Sequence, residues 1–252
     1  MYTLNVSQAN DTEAWLEARR GKITGTKSGK LVYDTYRNSE RLKTSIEFWK
    51  YAAENYAIEP DGENPMERGH RLENQNATIT LTKLGINPET AEYDTGLWVS
   101  DTDERIAVSP DVCEKGDKPT WAIECKSLGS AYHLQTVMTY RIWKLLKPQP
   151  TPDLEAFAVR WLDPITTSAD SIPFDFIPKQ YQPQVLQYFV VNENLKTLYF
   201  SLYDDRVYGD LCHEYIPVTR DSIGQRITAH KERELATLDA IDTLTQTFSL
   251  SF

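Results

Sequence analysis

The sequence predicts an α/β fold: a mixed sheet with helices packed against it. Residues 121–126, Trp-Ala-Ile-Glu-Cys-Lys, are rich in aromatic and apolar side chains and hold neither glycine nor proline, which reads as a strand. Residues 197–203 and 211–218 read as two further strands, late in the chain. The segments around them carry apolar residues at helical spacing, the longest over residues 221–247.

Taken in order, Asp11 caps a helix that runs through Trp15, Leu16 and Ala18 to Arg19-Arg20, and Gly21 ends it. Lys22-Ile23-Thr24-Gly25-Thr26-Lys27-Ser28-Gly29 follows, a turn rich in hydroxyls and glycine that enters a second helix near Ser28. Such a turn at a helix start suits an anion, and an arginine beside it adds a bidentate contact for phosphate. An ordinary capped corner between two helices has the same composition. Residues 45–57 read as a helix with Ile46, Trp49 and Tyr56 on its apolar face, and residues 59–65 as a loop. The next helix covers residues 66–84 and stops at Gly85, with Glu73 one turn after Gly69.

Residues 97–100 and 105–109 form a hairpin around Asp101-Thr102-Asp103-Glu104. A helix is expected over residues 132–146, a proline-rich loop over 147–153, a strand over 156–162 and irregular chain over 163–175. From Pro178 to Tyr188 the chain reads as a helix on which Gln184 shares a face with Gln187 and with Tyr188. The long final helix carries Ile223, Ile227, Leu235, Leu238, Ile241 and Leu244 on one stripe, to pack on the body or on another subunit.

A chain of 252 residues with 40% hydrophobic content can bury a real core, as one large domain or one domain with an insertion. Its net charge of −10 argues against a simple basic protein that coats DNA, although positive charge confined to one channel is compatible with that sum. Cys113, Cys125 and Cys212 lack metal-site spacing, which points to a reducing, cytosolic setting. No apolar run is long enough to span a membrane, and the first residues carry no signal-peptide pattern.

The chemistry concentrates in Ser109-Pro110-Asp111 and Glu124-Cys125-Lys126. Side chains alternate along a strand, so Glu124 and Lys126 share one face while Ile123 and Cys125 take the other, the core face. Residues 105–109 read as the neighbouring strand, ended by Pro110, and residues 112–119 as the turn between the two. Pairing these strands would bring Asp111, Glu124 and Lys126 to one spot. Two carboxylates can hold a hard cation, and a lysine beside it can orient or deprotonate a water. A surface hairpin with solvated charges would show the same residues.

An Asp on one strand and Glu-x-Lys on the next resemble the core of the PD-(D/E)xK nuclease superfamily. Further segments, in order, resemble the phage lambda exonuclease family, also called YqaJ-like viral recombinases. These are residues 18–24, Arg68-Gly69 with Leu72-Glu73, the two segments just named, and Ile177-Pro178 with Tyr181 and Gln184-Val185-Leu186-Gln187. The resemblance implies a restriction-endonuclease-like α/β fold and a 5′→3′ exonuclease on double-stranded DNA that leaves a 3′ single strand for recombination. It implies a Mg2+ or Mn2+ site, with two ions, held by Asp111, Glu124, the Cys125 carbonyl and Glu73. Lys126 would position the attacking water or act as its base. Gln184 or Gln187 would hold the water or the scissile phosphate: counting from Tyr181 selects Gln184, and counting back from residues 199–200 selects Gln187. Arg19, Thr26 and Ser109 correspond to residues that hold a 5′-phosphate end.

A trimeric ring and a single-strand annealing protein are the partners this implies. Residues 128–176 are longer than the family suggests, and could line the DNA path, contact a neighbouring subunit or form a surface insertion. The rival readings are an endonuclease of the same fold and a non-catalytic DNA-binding protein. A relative with an iron–sulfur cluster is disfavoured, because that cluster needs four cysteines and the chain has three.

Overall fold

Strand β5 (Trp121–Lys126) lies at the centre of a five-stranded sheet in the order β1–β4–β5–β6–β7. The other strands are β1 (Ala91–Tyr93), β4 (Val112–Glu114), β6 (Thr197–Tyr203) and β7 (His213–Thr219). β4 runs antiparallel to β1 and to β5, whereas β5 and β6 are parallel, with Glu124 opposite Phe200 and Cys125 opposite Ser201. Pro217 sits in β7 at the sheet edge, the place in a sheet where proline is tolerated. A separate two-stranded ribbon pairs β2 (Trp98–Val99) with β3 (Ala107–Val108). The helices are α1 (Ile46–Tyr56), α2 (Pro65–Leu84), α3 (Ser130–Leu146), α4 (Pro152–Trp161), α5 (Gln182–Val191) and α6 (Arg220–Phe248). This computed structural model describes residues 46–58, 62–93, 95–162 and 164–248, so the helices and turn expected over residues 11–29 lie outside the described residues.

The chain divides into two compact units. The first takes in the described chain up to Leu72, Ser127–Ser171 and Tyr203–His213. Its core joins Trp49 and Ala57 to Leu134, Leu146, Ala158, Leu162 and Val207. A buried polar cluster lies in the same unit. Arg68, 4% exposed, donates to Asp204 Oδ1 at 2.5 Å and to the Leu128 carbonyl at 3.2 Å. Asp204 also accepts from Ser130 (2.8 Å) and Arg206 (3.1 Å). Burial opposes the charge of Asp204, but the Arg206 and Ser130 hydrogen bonds and the Arg68 charge outweigh it and hold its carboxyl below the usual range.

The second unit holds Glu73–Lys126, Ile172–Leu202 and the described chain from Glu214 onward. Helix α2 covers one face of its sheet: Ala77 and Leu81 pack on Val112 and Ile123. Asn76 and Thr80 both reach Ser201 of β6. Asn76 Nδ2 donates to the Ser201 carbonyl (3.2 Å), and the Ser201 hydroxyl meets Asn76 Oδ1 (2.5 Å) and the Thr80 hydroxyl (2.6 Å). Gly85 ends α2 with a φ of 67°, where its N–H bonds Thr82 and that of Ile86 bonds Leu81. This is the paired closure that favours glycine after a helix.

Three expectations need correction. Residues 156–162 are helical rather than a strand. Pro152 stands in the first turn after Thr151, with Asp153 and Glu155 beside it, and Leu154, Ala158 and Leu162 face the core at a spacing of four. The strand over residues 105–109 does not pair with β5; its observed part, β3, pairs with β2. The partner of β5 is β4, inside the segment read as a turn, and Asp111 precedes β4. The turn is shorter than expected because Glu114 closes it, accepting from the N–H and hydroxyl of Thr120, both at 2.6 Å. The long α6 packs on α5, as expected, with Ile223 and Ile227 of its stripe buried and Leu244 58% exposed.

Candidate active site

The alternation along β5 is as expected: Ile123 enters the core with Cys125 beside it, and Glu124 and Lys126 meet on the opposite face. That face is covered by α5. Tyr181 packs on Phe200, the partner of Glu124 across the sheet, with ring centroids 5.7 Å apart. Glu124 is only 1% exposed, and its carboxylate is fully engaged. Oε1 accepts from Lys126 Nζ and from Gln184 Nε2 at 2.7 Å, and Oε2 accepts from the Tyr188 hydroxyl. The same hydroxyl lies 2.9 Å from the Ser109 carbonyl. Burying a charge without such partners would be costly.

Asp111 is half-buried and accepts from the Cys125 N–H at 2.6 Å, which ties the start of β4 to β5. Burial, then the charge of Glu124, pushes its carboxyl up to about 7; the Cys125 hydrogen bond pulls the other way, and Glu73 adds to the rise. Glu73 therefore sits within electrostatic reach of Asp111, presented by α2. Burial alone would depress the Lys126 ammonium, but the charge and hydrogen bond of Glu124 outweigh burial and hold it above its ordinary value. Lys126 is thus a cation in this arrangement, 5.5 Å over the Tyr181 ring. Burial, reinforced by the neighbouring Glu124 charge, keeps the Tyr188 phenol protonated.

The two glutamines separate. Gln184 reaches Glu124, while Gln187 turns away: its Nε2 donates to the Ala107 carbonyl (3.4 Å) and its Oε1 meets His230 of α6 (3.2 Å). Ser109 is exposed, and its hydroxyl donates to the Gly96 carbonyl at 2.6 Å, so its proton is committed across the open end of the β2–β3 ribbon. Arg19 and Thr26 lie outside the described residues.

Residues 14–194 match the family description of the YqaJ-like viral recombinase domain. The chain belongs to that family. Among solved structures it is similar to LHK-Exo, an alkaline exonuclease from Laribacter hongkongensis, at 20% identity, with 94% of this chain and 98% of that chain covered and a TM-score of 0.45. The structure of LHK-Exo in complex with dAMP is similar at 20% identity, with the same coverage and a TM-score of 0.46. A search of curated proteins finds no match.

The donor set of this YqaJ-like site fits a hard cation. Asp111, Glu124 and backbone carbonyls offer oxygen, and the raised Asp111 carboxyl reflects like charges in a poorly solvated place, which a cation would relieve. Among the described residues no three His, Cys, Asp or Glu side chains close into a ready cage. Magnesium commonly uses one or two carboxylates and completes its shell with water and phosphate oxygens. Sequence reasoning placed Tyr188 on the face of Gln184 but gave it no part in the site. Its signal was the i, i+4 spacing from Gln184.

Proposed function

We propose that the chain is a metal-dependent deoxyribonuclease, a 5′→3′ exonuclease on double-stranded DNA that leaves a 3′ single strand for recombination by annealing. One observation carries the reading: in a YqaJ-family chain, Asp111, Glu124, Lys126 and Gln184 converge around the central strand. Asp111, Glu124 and the Cys125 carbonyl would hold Mg2+ or Mn2+, with Glu73 completing a two-ion site from α2. Such ions, when bound, supply an activated water and stabilise the leaving oxygen.

The chain's own groups do the rest. Lys126, held as an ammonium by Glu124, orients a water or phosphate oxygen by donating to it. Gln184 fixes the Glu124 carboxylate with one amide hydrogen and has a second to offer the substrate. Arg19, Thr26 and Ser109 would receive the 5′-phosphate, for which Ser109 must first release Gly96. A trimeric ring around the duplex, a single-strand annealing partner, and the cytosol of a bacterial or phage-infected cell complete the proposal.

The test is digestion of linear and closed circular duplexes bearing 5′-phosphate or 5′-hydroxyl ends, with and without magnesium. Metal-dependent loss of linear DNA from 5′-phosphate ends is expected, abolished in Asp111→Asn and Glu124→Gln. Cutting of closed circles would make the protein an endonuclease, and binding without turnover would remove the enzymatic reading.

A further inference from the structure

We propose that Tyr188 is a positioning residue of this site, whose hydroxyl holds the Glu124 carboxylate and the Ser109 backbone in register so that Asp111 and Glu124 present their oxygens to one cation. This role rests on the metal-dependent reading above. A glutamate side chain has three rotatable bonds, and its oxygens keep one orientation only when each is held. Oε1 is held by Lys126 and Gln184, both on flexible side chains. Oε2 is held by Tyr188, whose ring is fully buried and meets Trp98 edge-on with centroids 6.4 Å apart. With the ring fixed, little but the hydroxyl torsion remains free. Tyr188 is thus the stiff partner of the three.

The same hydroxyl lies 2.9 Å from the carbonyl of Ser109, two residues before Asp111. One phenolic proton can serve only one acceptor at a time, and the two acceptors belong to the two segments that carry the carboxylates. A single rigid group therefore references both. The loop is tethered from another direction by Thr95, whose hydroxyl donates to the Pro110 carbonyl at 2.6 Å. Thr95 is accordingly the control for loop tethering alone.

Tyr188→Phe keeps the ring and removes the one hydroxyl that faces both acceptors. The assay is Mn2+ binding by calorimetry without DNA, beside cleavage at saturating DNA as a function of Mn2+, with circular dichroism to check the fold. Tyr188→Phe is expected to lose about 10- to 100-fold in Mn2+ affinity, as partners that orient ligands typically do, with an unchanged KM for DNA. Thr95→Val should bind Mn2+ nearly as the wild type does. Wild-type Mn2+ affinity in folded Tyr188→Phe would overturn the role, as would an equal loss in Thr95→Val. Should Tyr188→Phe fail to fold, Trp98→Phe, which loosens the ring but keeps the hydroxyl, decides in the same way: weakened Mn2+ binding supports the role and unchanged binding overturns it. A wild type that binds no Mn2+ at all would instead overturn the metal-dependent reading itself.

Discussion

Lys126 and Gln184 share one oxygen of Glu124, and that shared contact sets what their loss should do. Lys126→Ala removes the cation beside the carboxylates. As the loss of an oriented charged donor, this should lower the single-turnover cleavage rate by about 100-fold or more while DNA affinity changes little. Gln184→Ala should cost about 10- to 100-fold in rate, as the loss of a group that orients a ligand does, whereas Gln187→Ala should stay near wild type. A reversed order for the two glutamines in single-turnover assays would refute the assignment. His133 gives a prediction about stability, apart from the candidate site. It is fully buried, and its Nε2–H donates to the Leu211 carbonyl at 2.8 Å. Burial, with Arg68 and Arg141 adding to it, lowers its pKa against the opposing pull of the Leu211 carbonyl and Asp204. The folded protein therefore declines a proton that the unfolded chain accepts below about 6.5. Stability from this group is full above that pH and is lost on acidification. Thermal unfolding of His133→Gln should show a shallower fall in Tm between pH 7 and 5 than the wild type.

Elements were legible where one signal dominated, and misread where two competed. Strand β5, Gly85 as a stop and the face shared by Gln184 and Tyr188 follow from local pattern. Helix α4 was missed because a short apolar run suits either a strand or a helix. The first-turn proline and the spacing of Leu154, Ala158 and Leu162 decided it, and that spacing counts only once a core exists to receive it. Strand β4 was hidden because three residues beside a glycine and a proline look like turn. Pairing on both sides, with β1 and β5, makes them a strand. The choice between Gln184 and Gln187 was open by counting alone, and the direction of each side chain separates them. Nor did any local pattern single out Asn76, Thr80 and Ser201, whose partners lie more than a hundred residues apart in the chain. Ser201→Ala should cost about 1–3 kcal/mol in urea unfolding, because buried polar groups of α2 lose a partner. A change within error would make the network incidental to the seating of α2.

At the scale of the whole molecule, the proposed function asks an acidic chain to hold acidic DNA. Enclosing the duplex in a ring lets a positively lined channel coexist with a negative exterior, so light scattering is expected to give three times the chain mass at working concentration. A monomer would remove that account of how the proposed enzyme stays on DNA. The parallel pairing of β5 with β6 carries a different consequence, one of timing. Residues 127–196 lie between these strands, so the pair closes a long loop and gains its contacts only after paying that entropy. Gln184 and Tyr188 lie within that same stretch. In refolding, Mn2+ binding should therefore appear with the slowest phase, and early Mn2+ binding would contradict this order. On the ribosome, a nascent chain stalled before Thr197 would carry both carboxylates yet lack the strand that completes their setting. On the proposed nuclease reading, such a chain should leave DNA uncut until β6 has been made and has paired with β5.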